Sequence, residues 1–310
     1  MNHDVVIAGG GPAGLSAALV LGRARKRVLL CDAGTPRNAA AVGVHNFVTR
    51  DGISPPDFRA AARSDLVAYP SVETRDVRVV DVAPEAGRTP EERLLRVTLE
   101  DGTTSLARRV LLATGVVDAP PEIPGLREAW GKSAFQCPYC HGWEVRDRPW
   151  GALATSDDLA GWALLLLGWT SQLAVFTDGR ELGGEVTARL TRAGVRIATA
   201  RIARAAPGAA PGGGMELATG ERVPCEVLFA HPPQRPTPLV ERLGLALDER
   251  GFASVDERKE SSMPRVHVAG DASTMMQGAV IAAAAGTVAG VAMNHLLTLE
   301  DVERLRAATP

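Results

Sequence analysis

The chain has 310 residues, 45% of them hydrophobic and 23% charged, with a formal net charge of −2. This is the make-up of an ordinary globular protein of about two domains, and near-neutrality gives no basic field for nucleic acid or an anionic membrane surface. Four cysteines, Cys31, Cys137, Cys140 and Cys225, are too few and too unevenly spaced for a disulfide scaffold.

In chain order, residues 4–9 read as a short buried strand and 13–24 as an Ala/Leu-rich helix. Arg27 to Cys31 is a second strand ending at Asp32, which completes one β-α-β unit. Three β-like runs follow, Val77–Val82, Leu94–Leu99 and Val110–Ala113. Turn-rich Pro84–Pro90 and Asp101-Gly102 separate them, as in a β-meander. Val117 to Gly125 holds three prolines and reads as a linker. A second β-α-β pattern then begins, with a strand at 151–155, a helix at 157–168 and a strand at 172–177. Pro207 to Gly214 is a Pro/Gly loop joining two strands, and Pro232 to Pro238 is again proline-rich. A strand running into Val266-His267-Val268-Ala269-Gly270-Asp271 precedes a long Ala/Gly-rich helix over 278–297.

The pattern predicts an α/β fold of two Rossmann-like, three-layer ββα nucleotide-binding domains, the second inserted into the first. The boundaries are residues 1–117 with 241–310 for the discontinuous domain and 118–240 for the insert. The N-terminus runs straight into a strand without a basic segment ahead of an apolar one, and the densest apolar run, Leu164 to Leu167, is too short to span a bilayer. The expected compartment is the cytoplasm, with no membrane partner.

Gly9-x-Gly11-x-x-Gly14 sits between a strand and a helix, the context a dinucleotide fingerprint requires. Its glycines permit a tight turn, close approach to a pyrophosphate and close helix–strand packing. The helix that Pro12 and Ala13 open offers unpaired N–H groups to phosphates. Asp32, 21 residues after Gly11, can accept from ribose hydroxyls and would repel a 2′-phosphate, so FAD or NAD fits better than NADP.

Cys137-Pro138-Tyr139-Cys140-His141 has three readings. Half a zinc site lacks a second C-x-x-C, and His141 is poorly spaced to complete one, so no metal is expected. A thioredoxin-fold motif would follow the first strand of a small domain. A dithiol–disulfide pair in the insert is the third, and chance spacing stands beside all of them. Cys31 and Cys225, in β segments, read as small apolar fillers.

Leu112-Ala113-Thr114-Gly115 closes the meander, and Ala269-Gly270-Asp271 precedes the final helix. With these segments in matching order over nearly the whole length, the chain resembles the low-molecular-weight thioredoxin reductases and their flavoprotein relatives. The resemblance implies FAD, with Ala113, Thr114 and Gly115 packed near it and the Gly270-Asp271 aspartate bonded to its ribityl or phosphate region. Asn46, within His45-Asn46-Phe47, falls where the family keeps a cofactor contact. Gln277 and Ala279 open a helix whose N-terminus the family points at the flavin. It also implies that Cys137 and Cys140 are the redox pair, and that the protein is a homodimer.

NADPH-dependent members carry a second Gly-x-Gly-x-x-Gly/Ala in the insert. Here that turn reads Gly151-Ala152-Leu153-Ala154-Thr155-Ser156-Asp157-Asp158, one of three glycine positions matched, and one arginine, Arg180, stands in place of a basic cluster. Ser156 and Asp157 are good helix caps, and two carboxylates would repel a pyrophosphate, so the scaffold is expected to survive while NADPH binding is lost.

His141 stands where thioredoxin reductases commonly have an aspartate. A neutral imidazole suits the removal of a thiol proton, beside a passive hydrogen-bonding role. Cys-Pro-Tyr-Cys-His-Gly, an aromatic and Glu144 resemble the dithiol oxidases that close the disulfides of gliotoxin and holomycin. That resemblance implies oxidation of a small-molecule dithiol, with O2 as acceptor and H2O2 as product. A substrate thiolate helped by His141 would attack Cys137, the second thiol would resolve the mixed disulfide, and Cys140, nearer the flavin by family analogy, would pass electrons on. His45 is a candidate second base, and Phe135, Tyr139 and Trp143 are a candidate apolar substrate wall. The rival expectations are a disulfide reductase fed by NAD(P)H or ferredoxin, and a flavin-bound redox sensor without turnover.

Overall fold

The computed structural model describes residues 2–85, 94–208 and 213–308. In chain order the first elements are β1 (Asn2–Ala8), α1 (Pro12–Arg23), β2 (Val28–Cys31), α2 (Pro55–Leu66), β3 (Val72–Arg75), β4 (Val79–Glu85), β5 (Leu94–Leu99), β6 (Thr104–Leu112) and β7 (Val116–Asp118). Then come α3 (Leu126–Ala129), β8 (Ala134–Phe135), α4 (Pro138–His141), β9 (Trp150–Leu153), α5 (Asp157–Ala163), β10 (Leu173–Phe176), α6 (Gly184–Arg192), β11 (Arg196–Ala198), β12 (Ile202–Ala206), β13 (Gly214–Leu217), β14 (Arg222–Val223) and β15 (Val227–Ala230). The chain closes with β16 (Gln234–Pro236), α7 (Pro238–Arg242), β17 (Val266–Val268) and α8 (Ala279–Ala308).

The chain divides into two compact units, Met1–Ala39 with Asn46–Val117 and Gln234–Pro310, and Ala40–His45 with Asp118–Pro233. The second crossing falls at Pro233, not at the expected position 240, because β16 pairs with β7 and α7 packs into the first unit's core. Six residues, Ala40–His45, also belong to the inserted unit; nothing in their local sequence marks them.

In the first unit, β3-β2-β1-β6 form a parallel sheet, and β17 and the antiparallel β5-β4 share the far edge of β6. Alternate residues of β1 serve opposite faces. Val5 and Ile7 pack under α1 and α8, whereas Val6 and Ala8 face the meander and α7. A sheet covered on both sides needs apolar residues at every position, which is why β1 and β2 read as unbroken hydrophobic runs. The meander expected from sequence is present, although its third strand starts six residues earlier, at Thr104. Residues 86–90 of the turn expected at Pro84–Pro90 lie outside the described residues.

In the inserted unit, β11-β10-β9-β15-β8 are parallel, and the antiparallel β12-β13-β14 form a separate sheet. Trp150, Ala152 and Val175 face α5 and α6, while Leu153, Ala174 and Phe176 pack with Met215, Leu217 and Val223 of the small sheet. That is the helix, sheet, sheet layering expected. Residues 209–212 of the loop between β12 and β13 lie outside the described residues.

The final helix runs to Ala308, well past the expected stop at 297. It meets the length and hydropathy of a membrane span, with a mean hydropathy of 1.6 over its most apolar stretch. The cause is packing. A Cβ on Gly286 would collide with the backbone of Ala13, so α8 lies directly on the start of α1 and needs small apolar residues there.

Candidate active site

In the first unit the turn between β1 and α1 is built from what its side chains lack. Gly9 has φ +113°, and a Cβ there would enter the Ala113 carbonyl; one on Gly14 would enter the Gly9 carbonyl. At Gly11 a Cβ meets nothing, so that side of the turn is open. Gly11 is also the N-cap of α1 and has no side chain to cap it, Pro12 has no N–H, and the first turn carries no acidic residue. The N–H groups of Ala13 and Gly14 therefore stay available to an anion, reinforced by the helix dipole. This cradle fits the pyrophosphate of a dinucleotide.

Asp32 follows β2 and is 8% exposed. Burial would raise its pKa, but the Gly34 N–H and the guanidiniums of Arg59 and Arg63 hold it below the usual carboxylate value. The expectation that its charge repels a 2′-phosphate is thereby weakened, since two cations offset it. Oδ1, taken among the described residues only by Gly34 N at 3.1 Å, is the atom left to accept from a ribose hydroxyl.

The other residues expected at the cofactor lie in the same unit. Ala113 is buried, Gly115 has φ +68°, and Thr114 Oγ1 is 2.9 Å from Thr237 Oγ1. Asn46, at φ +61°, donates its backbone N–H to Asp51. Gly270-Asp271 opens a 3₁₀ turn, and Asp271 is paired with Arg37 at 3.0 Å. The same guanidinium donates to Gln277 Oε1 at 2.6 Å, and Gln277 exchanges hydrogen bonds with Gln234. Ala279 begins α8. Arg37 and Gln234 were not among the expected residues. Arg37 lies in an irregular segment, and its partners are 234 and 240 residues away, so no local pattern marks it.

In the inserted unit Cys137 and Cys140 are joined as a disulfide, with Cα atoms 5.3 Å apart, inside the range the bond requires. Cys137 is the N-cap of the one-turn α4, and its Sγ accepts from Cys140 N at 3.1 Å. Pro138 fills N1, where no N–H is needed. His141 ends this turn. Its ring stacks on Phe135 at 4.3 Å between centroids, and neither ring nitrogen makes a well-formed hydrogen bond. Burial lowers its pKa, the backbone of Cys137 opposes this, and the charges of His45 and Glu144 act on it in opposite senses. His45 Nε2 is 3.6 Å from Glu144 Oε1. The arrangement is a disulfide with a neutral base beside it and a carboxylate–imidazole pair within electrostatic reach.

The expected apolar wall does not include Phe135. Phe135, 7% exposed, lies beneath His141 and is a support for the ring, not a substrate surface. Tyr139 and Trp143 are 62% and 66% exposed, and the Arg146 guanidinium lies over Trp143.

The turn between β9 and α5 differs from its counterpart in the first unit at each point that matters. Ser156 caps α5 through Leu159 N, and Asp157 and Asp158 occupy its first turn. Asp157 Oδ1 accepts from Gly183 N at 2.9 Å, closing the space toward α6. Trp162 of α5 packs edge-on against His231, just past the end of β15, with ring centroids 4.1 Å apart. Asp178, after β10, is committed to Ile202 N. These residues do not fit a pyridine nucleotide.

A family profile described as pyridine nucleotide-disulphide oxidoreductase matches residues 3–286. The chain is 32% identical over 299 residues to "Thioredoxin reductase tcpT" of Claviceps purpurea, covering 93% of this chain and 92% of that one. It is 38% identical over 180 residues to a "Probable thioredoxin reductase" of Arthroderma benhamiae, but the match spans 45% of that protein. The crystal structure of HlmI superposes with a TM-score of 0.91 at 36% identity, covering 99% of this chain and 96% of that one. On this match and on the open, uncapped turn between β1 and α1, the chain belongs to the pyridine nucleotide-disulphide oxidoreductases, as a thioredoxin reductase-like flavoprotein that binds FAD.

Proposed function

We propose that this protein oxidises a small-molecule dithiol to its intramolecular disulfide, with O2 as the terminal acceptor and H2O2 as the product. The observation that carries the reading is the contrast between two helix N-termini. α1 is open to a dinucleotide, whereas α5 is capped by Ser156 and guarded by Asp157 and Asp158. In this reading electrons enter through the Cys137–Cys140 disulfide.

In this reading His141 takes the proton of a substrate thiol, and the thiolate forms a bond to Cys137 Sγ as the Cys137–Cys140 bond breaks. The second substrate thiol, once deprotonated, attacks the first substrate sulfur and releases Cys137. The substrate leaves as its disulfide, and its two electrons are held by the cysteine pair. FAD, held by the turn between β1 and α1 with Asp32 and Asp271, supplies a two-electron acceptor. The resemblance of the Cys137–Glu144 segment to the dithiol oxidases of gliotoxin and holomycin supports a place in making, or guarding against, a dithiol natural product.

Two further properties belong to the proposal. The free thiols of Cys31 and Cys225 support a cytoplasmic setting. The exposed apolar stripe Val280, Val288, Val291, Leu299 and Val302 along α8 supports a homodimer, which sedimentation of the purified protein tests. The competing reading, a disulfide reductase fed by NAD(P)H or ferredoxin, draws on the names of the relatives.

Flavin absorbance and peroxide are followed after adding dithiothreitol or NADPH in air. Peroxide formation with the dithiol, and an unbleached flavin with NADPH, are expected. Rapid bleaching by NADPH with no dithiol-driven peroxide would sink the oxidase reading. Cys137→Ser and Cys140→Ser should each keep FAD and lose dithiol turnover.

A further inference from the structure

A carboxylate that accepts from a ribose hydroxyl has to stay ionised where water is scarce, and has to keep one oxygen aimed at the cofactor. Asp32 meets both demands through residues outside the glycine turn. Its side chain is nearly buried, and a Cβ on Gly10 would collide with its carboxylate, so the acid rests directly against the cradle. Burial alone would favour its neutral form, which carries a proton where an acceptor is needed.

The countercharge comes from α2. Arg59 and Arg63 are four residues apart and so share one face of that helix. Arg59 Nη2 donates to Asp32 Oδ2, and Arg63 Nη2 donates to the same oxygen at 3.2 Å. Arg63 also bonds Asp76, just past β3, at 2.7 Å. The Nε atoms of both arginines are buried with no hydrogen-bond partner among the described residues. Two guanidiniums converging on one oxygen, each with a stranded N–H, are a poor way to stabilise a fold. They are a good way to fix a carboxylate. With Oδ2 held from α2 and Oδ1 bonded to the Gly34 N–H at 3.1 Å, the group cannot turn, and Oδ1 keeps a second lone pair.

We propose that Arg59 and Arg63 are positioning residues of the FAD site, which hold Asp32 by Oδ2 so that Oδ1 is presented to the adenosine ribose. They act through Asp32, and α2 thereby sets how tightly the cofactor is kept. The device serves FAD whichever substrate the cysteine pair oxidises.

The test is release of cofactor from the holoprotein on dilution, read as recovery of flavin fluorescence. It is run on protein loaded with FAD, or with an FAD analogue whose adenosine ribose lacks both hydroxyls. Wild-type protein should hold FAD on the order of 10-fold more tightly than the analogue, as a hydrogen bond to a charged acceptor would give. Arg59→Met should lose most of that margin, with its hold on the analogue within about 2-fold of wild type. Arg63→Met should lose less, because Arg63 is shared with Asp76. In an Asp32→Asn background, adding Arg59→Met should weaken FAD no further, since the arginine then has no carboxylate to aim. Equal weakening of FAD and analogue would make the arginines a support of the fold alone and overturn the proposal. So would Arg59→Met and Arg63→Met proteins that keep the wild-type margin. Where Arg59→Met does not fold, Arg63→Met makes the same comparison. A wild-type protein that holds both cofactors equally overturns the role of Asp32 itself, and the proposal with it.

Discussion

At the scale of single residues, the four cysteines divide by environment. Burial pushes the thiols of Cys31 and Cys225 up to about 12, so neither forms a thiolate at neutral pH. After reduction, iodoacetamide should label Cys137 and Cys140 in the native protein and leave Cys31 and Cys225 unmodified, as peptide mass spectrometry would read out. Labelling of Cys31 without unfolding would contradict its burial. His141→Ala should keep the disulfide and the flavin but slow anaerobic flavin reduction by dithiol about 100-fold or more, the usual worth of a positioned base. The cysteine pair and its histidine are legible in the sequence because they are adjacent. Arg37 is not, because its partners Asp271 and Gln277 lie 234 and 240 residues further along the chain.

At the scale of elements, two β-α turns with related geometry have opposite chemistry. In the first, the absence of side chains is functional. Gly14→Ala would force α1 away from the Gly9 carbonyl, and the purified protein should be colourless, with a lowered melting temperature. In the second, Ser156→Ala removes a cap and should cost about 1 kcal/mol in urea unfolding, with flavin content unchanged. The Gly9-x-Gly11-x-x-Gly14 turn was readable because backbone chemistry demands those residues at that spacing. α2 is not legible in the sequence although Ser54, Pro55 and Asp57 mark its start, since only Pro55 and Leu66 are buried and no apolar period runs through it. β3 is hidden for a similar reason, as Val72-Glu73-Thr74-Arg75 carries ion pairs where a strand of this sheet would ordinarily be apolar.

At the scale of the whole molecule, stability is tied to acid–base state. Arg108 and Arg109, both nearly buried on β6, bind Glu300 and Asp301 of α8, Asp4 of β1 and Glu260. Burial would raise the pKa of Asp4, but the bonds from Arg27 and the charge of Arg108 hold it below 3.8. His3, His231 and His267 are all lowered from 6.5, chiefly by burial. Asp4 and these three histidines each bind a proton less readily folded than unfolded, so acid favours the unfolded chain. The histidine contribution is present above pH 6.5 and declines as pH falls below it; the carboxylate contribution follows below about 3.8. Urea midpoints should therefore fall between pH 7.5 and 5.5, and again toward pH 3. A flat profile would show that these buried groups do not set the balance.

The collision that forbids a side chain on Gly286 has a practical reach. Because α8 rests on the backbone of Ala13, the residue that opens the cofactor-binding turn, a loosened α8 cannot leave that turn intact. Flavin occupancy and helix docking become a single cooperative event, in which FAD acts as a folding ligand. The yellow colour of a preparation is then a direct gauge of how many molecules have seated their last helix.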